Sequence, residues 1–333
     1  MLILQHILRL VYRLGYLCIN NPTYYGICSD LKSLTDLAHS HGMKVLCDEA
    51  HGTHLYFGSN LPISGMAAGA DLAAVSMHKS GGSLTQSSVL LTGQNMDKGL
   101  VRQIINLTQT TSASYLLLSS LDLSRRNLAL RGKECFDKVV EMAEYAREEI
   151  NRIGGYYAYG RELVDGVNVF DYDVTKLCIY TRNIGLTGIE VYDLLRDEYD
   201  IQIEFGDLGS IMAYISIGDR LRDIERLVGA LEDIKRLYAK DGSNLACVDF
   251  IEPEVVKSPK QSFYAEKVSM PLSKSAGNVC GEFVMCYPPG IPILAPGELI
   301  TDEIIEHIVF SKEKGCSLQG AADPDVENIR VLK

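Results

Sequence analysis

Apolar residues recur along this chain with two interleaved periods. Leu17-Cys18-Ile19 reads as a strand, and the polar stretch Asn20 to Gly26 as the loop at its end. Leu31, Leu34, Leu37 and Ala38 then share one helical face, with Ser29 placed to cap that helix and Gly42 to stop it. Lys44 to Cys47 and Leu72 to Val75 are further apolar strands, joined by a loop and a short helix. A polar turn through Gly81-Gly82 and Thr85 to Ser88 enters another strand at Val89 to Leu91. This strand-helix-strand alternation predicts an α/β fold whose sheet is mainly parallel, with crossover helices. Helical periodicity follows over Tyr115 to Leu130 and again over Glu134 to Ile153. The second helix carries Phe136, Val139, Val140, Ala143, Ala146 and Ile150 as one stripe.

Gly154-Gly155 ends that helix and marks a boundary between a major domain, 1–153, and a small α+β domain, 154–240. In the small domain Lys176 to Tyr180, Ile201 to Phe205 and Ile211 to Ile217 read as strands. Thr187-Gly188-Ile189-Glu190 is a capping box that opens a helix reaching Asp197. Asp219 opens a long amphipathic helix with Leu221, Ile224, Leu227, Val228, Leu231 and Ile234 on its buried face. A linker, 241–262, contains Pro253 and Pro259. A last segment, 263–333, is expected to end in a mobile polar tail after Phe310.

Composition narrows the partners. With 333 residues the chain holds two domains or one large one with an appendage. Its net charge of −11 provides no basic excess to displace counterions from phosphate, which excludes a nucleic-acid partner. Nine cysteines, an odd count with no Cys-x-x-Cys pair, read as free thiols in a reducing cytoplasm. Met1 to Arg13 is apolar, but no basic region precedes it and no small-residue cleavage site follows, so it is not read as a signal peptide. Arg9 and Arg13 interrupt it well short of the roughly twenty apolar residues of a membrane span. No membrane partner is expected, and Met1 to Tyr16 reads as a surface or interface helix, or as a segment without a place in the fold.

Two strand ends carry the chemistry. Leu72 to Val75 runs directly into Ser76-Met77-His78-Lys79, and Val45 to Cys47 into Asp48-Glu49-Ala50-His51. Strand ends at one edge of an open α/β sheet are where such folds bind ligands. There a lysine is partly desolvated, which lowers its pKa and makes its amine a nucleophile for a carbonyl. A lysine to hold an aldehyde as a Schiff base and a carboxylate to keep a pyridine nitrogen protonated are what pyridoxal 5'-phosphate (PLP) chemistry requires. The plainer readings are a surface lysine at Lys79, a helix N-cap at Asp48, core packing at Ala50 and a structural His78. His51, His54 and His78 lack the carboxylate or thiol spacing that would complete a metal site, so no metal is expected.

Asp48-Glu49-Ala50-His51 followed by Ser76-Met77-His78-Lys79 resembles the PLP-dependent ornithine, lysine and arginine decarboxylases of aspartate-aminotransferase fold. Asn21-Pro22-Thr23-Tyr24-Tyr25-Gly26, Gln109-Thr110-Thr111-Ser112, Tyr287-Pro288-Pro289-Gly290-Ile291-Pro292 and Ala295-Pro296-Gly297-Glu298 agree, so the resemblance covers about Asn20 to Phe310. It implies Lys79, His78 and Asp48 as catalytic residues. Lys79, Asp48, Ala50, His51, Ser76 and His78 would hold PLP, with Thr110 reaching the phosphate of a neighbouring subunit in a homodimer or larger assembly. Position 113 is Ala where the family has Pro. Glu204 is the candidate for the distal cation of the substrate. The implied activity is decarboxylation of a basic amino acid to a polyamine-pathway amine, arginine first and lysine or ornithine next. Ile211 to Ile217 lacks the arginine with which an aminotransferase of this fold clamps the α-carboxylate, which places that activity lower. Only twenty residues precede Asn21, where the family has further strands, a phosphate loop and a ring that stacks on the cofactor. The chain is therefore expected to be truncated at its start, either as a non-catalytic remnant or as one half of a split decarboxylase.

Overall fold

The computed structural model of the chain describes residues 15–241, 251–287 and 290–333. The readings made above for Met1 to Leu14, for 242–250 of the linker and for Pro288-Pro289 lie outside these residues. The first elements are β1 (Tyr16–Asn20), β2 (Ile27–Cys28), α1 (Leu31–Ser40), β3 (Lys44–Glu49), α2 (Gly65–Ala68), β4 (Leu72–Val75), α3 (Met77–Ser80) and β5 (Val89–Thr92). They form a sheet of order β1-β3-β4-β5. β1 pairs parallel with β3, and β3 parallel with β4, as strand-helix-strand crossovers require; β5 returns antiparallel. Helices α1 and α2 cover one face, where Ile19, Leu31, Ala38, Val45, Cys47 and Ala73 make the core. Tyr16, Cys18, Ala74 and Leu90 occupy the other face and are exposed.

The α1 cap differs from expectation. Asp30 is the N-cap, and its side chain accepts from the Ser33 N–H at 3.0 Å. Ser29 sits one residue too early for that bond, and its own N–H goes to Asn21 Oδ1 at 2.8 Å.

After α4 (Lys98–Thr108) comes α5 (Tyr115–Ile153), a single helix of 39 residues where the periodicity suggested two. The gap between the two readings contains Gly132, which a helix tolerates at a cost of about 1 kcal/mol. The glycine is there because a Cβ would lie 2.9 Å from the Phe57 ring. The predicted stripe is found inside: Phe136, Val139, Ala143, Ala146 and Ile150 are buried.

Next are β6 (Tyr157–Ala158), β7 (Asp171–Tyr172), β8 (Lys176–Tyr180), α6 (Gly188–Tyr199), β9 (Phe205–Gly206), β10 (Ser210–Tyr214) and α7 (Leu221–Tyr238). The capping box at Thr187 and Glu190 is formed in both directions. A second sheet has the order β6-β8-β10-β9, and β2 pairs with β7.

The last part contains α8 (Pro259–Tyr264), β11 (Lys267–Pro271), β12 (Val284–Tyr287), β13 (Ile291–Leu294), α9 (Asp302–Glu313), β14 (Ser317–Gln319) and β15 (Asn328–Leu332). The expected mobile tail is a correction. β14 pairs with β12 and β15 with β11, and Ile329 and Val331 are buried in a core with Val284, Leu294, Ile304 and Ile308. Their alternation with Asn328 and Arg330 is the period of a half-buried strand, hidden by the polar average of the segment.

The chain divides into two compact units that interleave in sequence. One has the described part of Met1–Arg152 with Ala158–Cys178 and Tyr214–Val228; the other has Ile153–Tyr157, Ile179–Ala213 and the described part of Gly229–Lys333.

Two glycines test the local packing of the second unit. A Cβ on Gly188 would stand 1.8 Å from the Ser210 carbonyl oxygen, whereas Gly229 in α7 has open space around it. Gly188→Ala should lower stability by roughly 1–3 kcal/mol or more, and Gly229→Ala should raise it by about 0.5–1 kcal/mol. Denaturant midpoints of the two variants check both signs.

Candidate active site

β3 and β4 are parallel with Asp48 opposite Ala74 and Glu49 opposite Val75, so both strands end at one edge of the sheet. The turn after β3 presents Asp48, Ala50 and His51, and the short helix α3 after β4 presents His78 and Lys79. Thr53 Oγ1 donates to the Ser76 carbonyl at 3.0 Å, which ties the two turns together. Glu49 anchors the first turn from inside. It is fully buried, accepts the Gly65 N–H at 2.7 Å and the Tyr56 hydroxyl, and burial raises its pKa above the ordinary carboxylate value.

Lys79 Nζ donates to His51 Nε2 at 2.9 Å. The His51 ring lies 4.0 Å from the Tyr24 ring, centroid to centroid, and Lys79 Nζ stands 5.9 Å from the Tyr24 centroid. Burial, with the positive charges of Lys176 and Lys79 after it, lowers the His51 pKa to about 3. The imidazole is therefore neutral at physiological pH and acts as an acceptor. His78 donates from Nδ1 to the Ser87 carbonyl at 2.9 Å, and its own N–H reaches the same oxygen at 3.2 Å. That bond fixes the ring and leaves Nε2 for exchange with a ligand. Asp48 Oδ1 accepts the Ala50 N–H at 3.0 Å, and Ser76 opens α3 without a side-chain cap bond, leaving its hydroxyl for a ligand.

The structure thus gathers Asp48, Ala50, His51, Ser76, His78 and Lys79 at one edge. The expected desolvation of Lys79 is corrected: in the described chain the residue is exposed, because α3 places it outside the sheet. Thr110 is not gathered with them; it lies in the exposed loop after α4, where its hydroxyl accepts the Ser112 N–H at 3.1 Å. Glu204 belongs to the second unit, where it lines a cavity of about 860 Å³ together with Asp193, Asp207 and Glu298.

A buried polar cluster of the first unit escaped the sequence reading. His54 and Asp173 are fully buried and bonded Nε2 to Oδ2 at 2.7 Å. Asp173 Oδ1 also accepts from Thr175 Oγ1 at 2.7 Å and Thr175 N–H at 3.1 Å. Burial works against ionisation of Asp173. The charges of His54 and Lys176, with the bonds from His54 and Thr175, outweigh it and hold its pKa below the carboxylate range. Lys176 Nζ lies 3.7 Å from Asp173 Oδ2 and 3.6 Å from the Tyr214 ring centroid.

The donor set fits PLP. An amine and a carboxylate end adjacent parallel strands, a neutral imidazole stands at the amine, and a hydroxyl and a second imidazole flank it. A buried amide donor without a hydrogen-bond partner, Asn21 Nδ2, sits on the chain next to Asp48, whose carbonyl accepts the Asn21 N–H at 3.0 Å.

Comparison with known proteins places the chain in a family. The model of the Orn/Lys/Arg decarboxylase major domain matches residues 9–223, and that of the family's C-terminal domain matches 247–322. Arginine decarboxylases of Bacillus subtilis and Halalkalibacterium halodurans are each 42% identical over 325 residues. The aligned region covers 95% of this chain and 66% and 65% of theirs, so the chain spans about two thirds of the length of these relatives. In structure, the Francisella novicida lysine decarboxylase is similar with a TM-score of 0.78 at 19% identity, over 96% of this chain and 57% of that one. The Escherichia coli constitutive lysine decarboxylase gives 0.75 at 18%, over 96% and 58%. The predicted α/β fold is borne out.

The His54–Asp173 pair has a measurable consequence. Removing one partner by His54→Ala or Asp173→Ala leaves the other buried and uncompensated, at a cost of about 3–5 kcal/mol in denaturant unfolding. Because the Asp173 pKa is depressed on folding, its contribution is present above the ordinary value of 3.8 and is lost as the pH falls through the lower folded value. The stability difference between wild type and Asp173→Asn should therefore shrink as the pH falls from 3.8 toward that lower value and level off below it.

Proposed function

The chain belongs to the Orn/Lys/Arg decarboxylase family, and from that premise we propose that the residues around Lys79 bind PLP and decarboxylate a basic amino acid, arginine first. The observation that carries the reading is the convergence of Asp48 and Lys79 at the ends of paired parallel strands, with His51 in contact with the lysine amine. When bound, PLP supplies the electron sink for the pair left at Cα as CO2 departs. Asp48 would pair with the ring nitrogen and keep it protonated. His51 Nε2 accepts a hydrogen bond from the Lys79 amine and holds it in place. His78, fixed through Nδ1, returns a proton to Cα from Nε2. Ser76 and His78 would hold the phosphate, and Ala50 would leave room for the ring. Arginine leads lysine and ornithine because the relatives with the higher identity are arginine decarboxylases.

Assembly belongs to the same proposal. Helix α4 has no buried residue, and Leu107 in it and Tyr115 at the start of α5 are 81% and 85% exposed. Apolar surface of this extent on two successive helices supports a homodimer or larger, in which Thr110 between them serves the neighbouring copy. None of the eight described cysteines is in a disulfide, which supports a reducing, cytoplasmic setting. Among the described residues no helix is long and apolar enough to cross a membrane.

A second reading, in which the chain completes its site only with another polypeptide, is favoured by the uncovered sheet face of Tyr16, Cys18, Ala74 and Leu90. Labelled CO2 release from arginine, lysine and ornithine, by the chain alone and with the upstream segment of a related decarboxylase in trans, separates the two readings.

Borohydride reduction of the PLP-treated protein, followed by peptide mapping, should place the pyridoxyl mass on the Lys79 peptide. A label on Lys44 or Lys98 overturns the assignment. Asp48→Asn should slow CO2 release by roughly a hundredfold or more while changing cofactor affinity much less. For assembly, the wild type should sediment as a dimer or larger, and Leu107→Asp as a monomer that binds PLP more weakly. A wild-type monomer that turns over substrate defeats the dimer.

A further inference from the structure

Two half-buried cysteines of the second unit, Cys286 and Cys316, stand side by side. β12 and β14 pair antiparallel, with Cys286 opposite Leu318 and Tyr287 opposite Ser317. Cys316 is two residues from Leu318, so it shares a face with Cys286 as its diagonal neighbour. Both line the cavity of about 860 Å³, as do Asp207 and His307. The Cys316 thiol donates a hydrogen bond to the Cys286 sulfur. Ser311 in α9 is fully buried, and its hydroxyl, which has no other partner among the described residues, reaches the same sulfur. The turn between α9 and β14 holds Cys316 in place: its N–H meets the Ser311 carbonyl at 3.0 Å, and Gly315 before it has φ +83°. Cys28, Cys47 and Cys280 differ. They are buried, and burial pushes their thiols up, which is the condition of an inert core cysteine.

We propose that Cys286 and Cys316 form a reversible dithiol–disulfide pair, a modification site for small hydroperoxides that enter this cavity. Cys286 is the attacking sulfur. The bond from Cys316 lowers its pKa, burial opposes, the Ser311 hydroxyl lowers it further and the Asp207 charge opposes again, leaving it at about 7. About half of it is therefore thiolate at neutral pH, and the thiolate is the nucleophile. It attacks the terminal peroxide oxygen. An S–O bond forms, the O–O bond breaks, and the other oxygen leaves with a proton from water as water or an alcohol. The sulfur has given two electrons to the peroxide and become a sulfenic acid. Until then Cys316 keeps its proton, because it donates to the Cys286 sulfur and is held above its ordinary value. A sulfenic acid carries no such charge, so Cys316 can lose the proton and attack in turn. The S–S bond forms, the S–O bond breaks, and hydroxide leaves with that proton as water. A dithiol reductant reverses the pair by exchange. Diagonal neighbours have Cα atoms about 7–8 Å apart, and disulfides about 4.4–6.8 Å, so closure draws the turn in by roughly 1 Å. The ladder permits this, since it ends at Ser317 and Cys316 lies beyond it.

The test uses the reduced full chain and depends neither on Lys79 nor on turnover. Limiting hydrogen peroxide is added, the remaining thiols are alkylated, and the protein is digested without reductant. A peptide pair joined through Cys286 and Cys316 should form before any other cysteine is lost, and dithiothreitol should return it to two thiols. Cys316→Ser should stop at a Cys286 sulfenic acid that dimedone labels. Cys286→Ser should give no link, and its remaining thiols should react roughly tenfold or more slowly than Cys286 does in the wild type. The pH dependence of Cys286 alkylation reads the Cys316 hydrogen bond. Its midpoint should lie near 7 in the wild type and in Cys316→Ser, which keeps a donor, and a unit or more higher in Cys316→Val. A first link through another cysteine, a link between two chains, a sulfenic acid that persists in the wild type, or an unmoved midpoint in Cys316→Val would each overturn the proposal. The peroxide reaction of the wild type needs no variant, so it decides even if a variant fails to fold.

Discussion

Parallel pairing of β3 with β4 is the constraint on which the candidate site depends. In a parallel pair both chains run the same way, so both C-terminal ends reach the same edge, and the intervening helix must cross a face to return. With Asp48 set opposite Ala74, the carboxylate arrives four residues after Lys44 and the lysine four residues after Val75, and the turns they occupy are neighbours. A shift of one residue in that register would exchange the faces of β3. Asp48 would then point toward the core of Ile19, Val45 and Ala73, and Cys47 toward the ligand edge. The buried Glu49, bonded to Gly65 and Tyr56, guards against such a slip, because its neighbour facing the opposite way must then be Asp48.

Behind this edge lies an order of support. The Asn21–Gly26 loop is fixed to β3 through the Asn21 N–H on the Asp48 carbonyl, and to the Asp173 segment through the Asp173 N–H on the Gly26 carbonyl at 2.8 Å. It brings Tyr24 onto His51. His54, three residues beyond His51, is held by Asp173 in the same segment. The turn carrying His51 is thereby gripped from two sides by residues more than a hundred positions apart, which makes its geometry a property of the whole first unit.

What could be read in the sequence was whatever depends on neighbours along the chain. Strands β1, β3, β4, β5 and β8 and the capping box of α6 followed from apolar runs and local hydrogen-bond chemistry, and so did the meeting of Asp48 and Lys79 at one edge, whereas His51, Ser76 and His78 came from the family resemblance. Misreadings arose where a long-range contact overrode a local signal. The periodicity lapsed between Leu130 and Glu134, but the helix runs through, with Gly132 there because the Phe57 ring needs that space. The polar average after Phe310 looked like a tail, but Ile329 and Val331 find a core. The His54–Asp173 bond spans 119 positions and has no periodicity to announce it. Lys176 was read only as the first residue of a strand, since nothing in a strand pattern says that a lysine is inside.

The distribution of cations bears on which bond at Cα is broken. An aminotransferase keeps the α-carboxylate by clamping it, and a guanidinium does this best because its planar fork meets both oxygens. Ser210 to Ile217, where such a clamp would stand, contains no arginine. The two lysines of the candidate site do not replace it. Lys79 is engaged with His51, and Lys176 is buried beside Asp173 and over the Tyr214 ring. A carboxylate left without a strong partner in the ground state gains more on departing as neutral CO2 than one held by an ion pair.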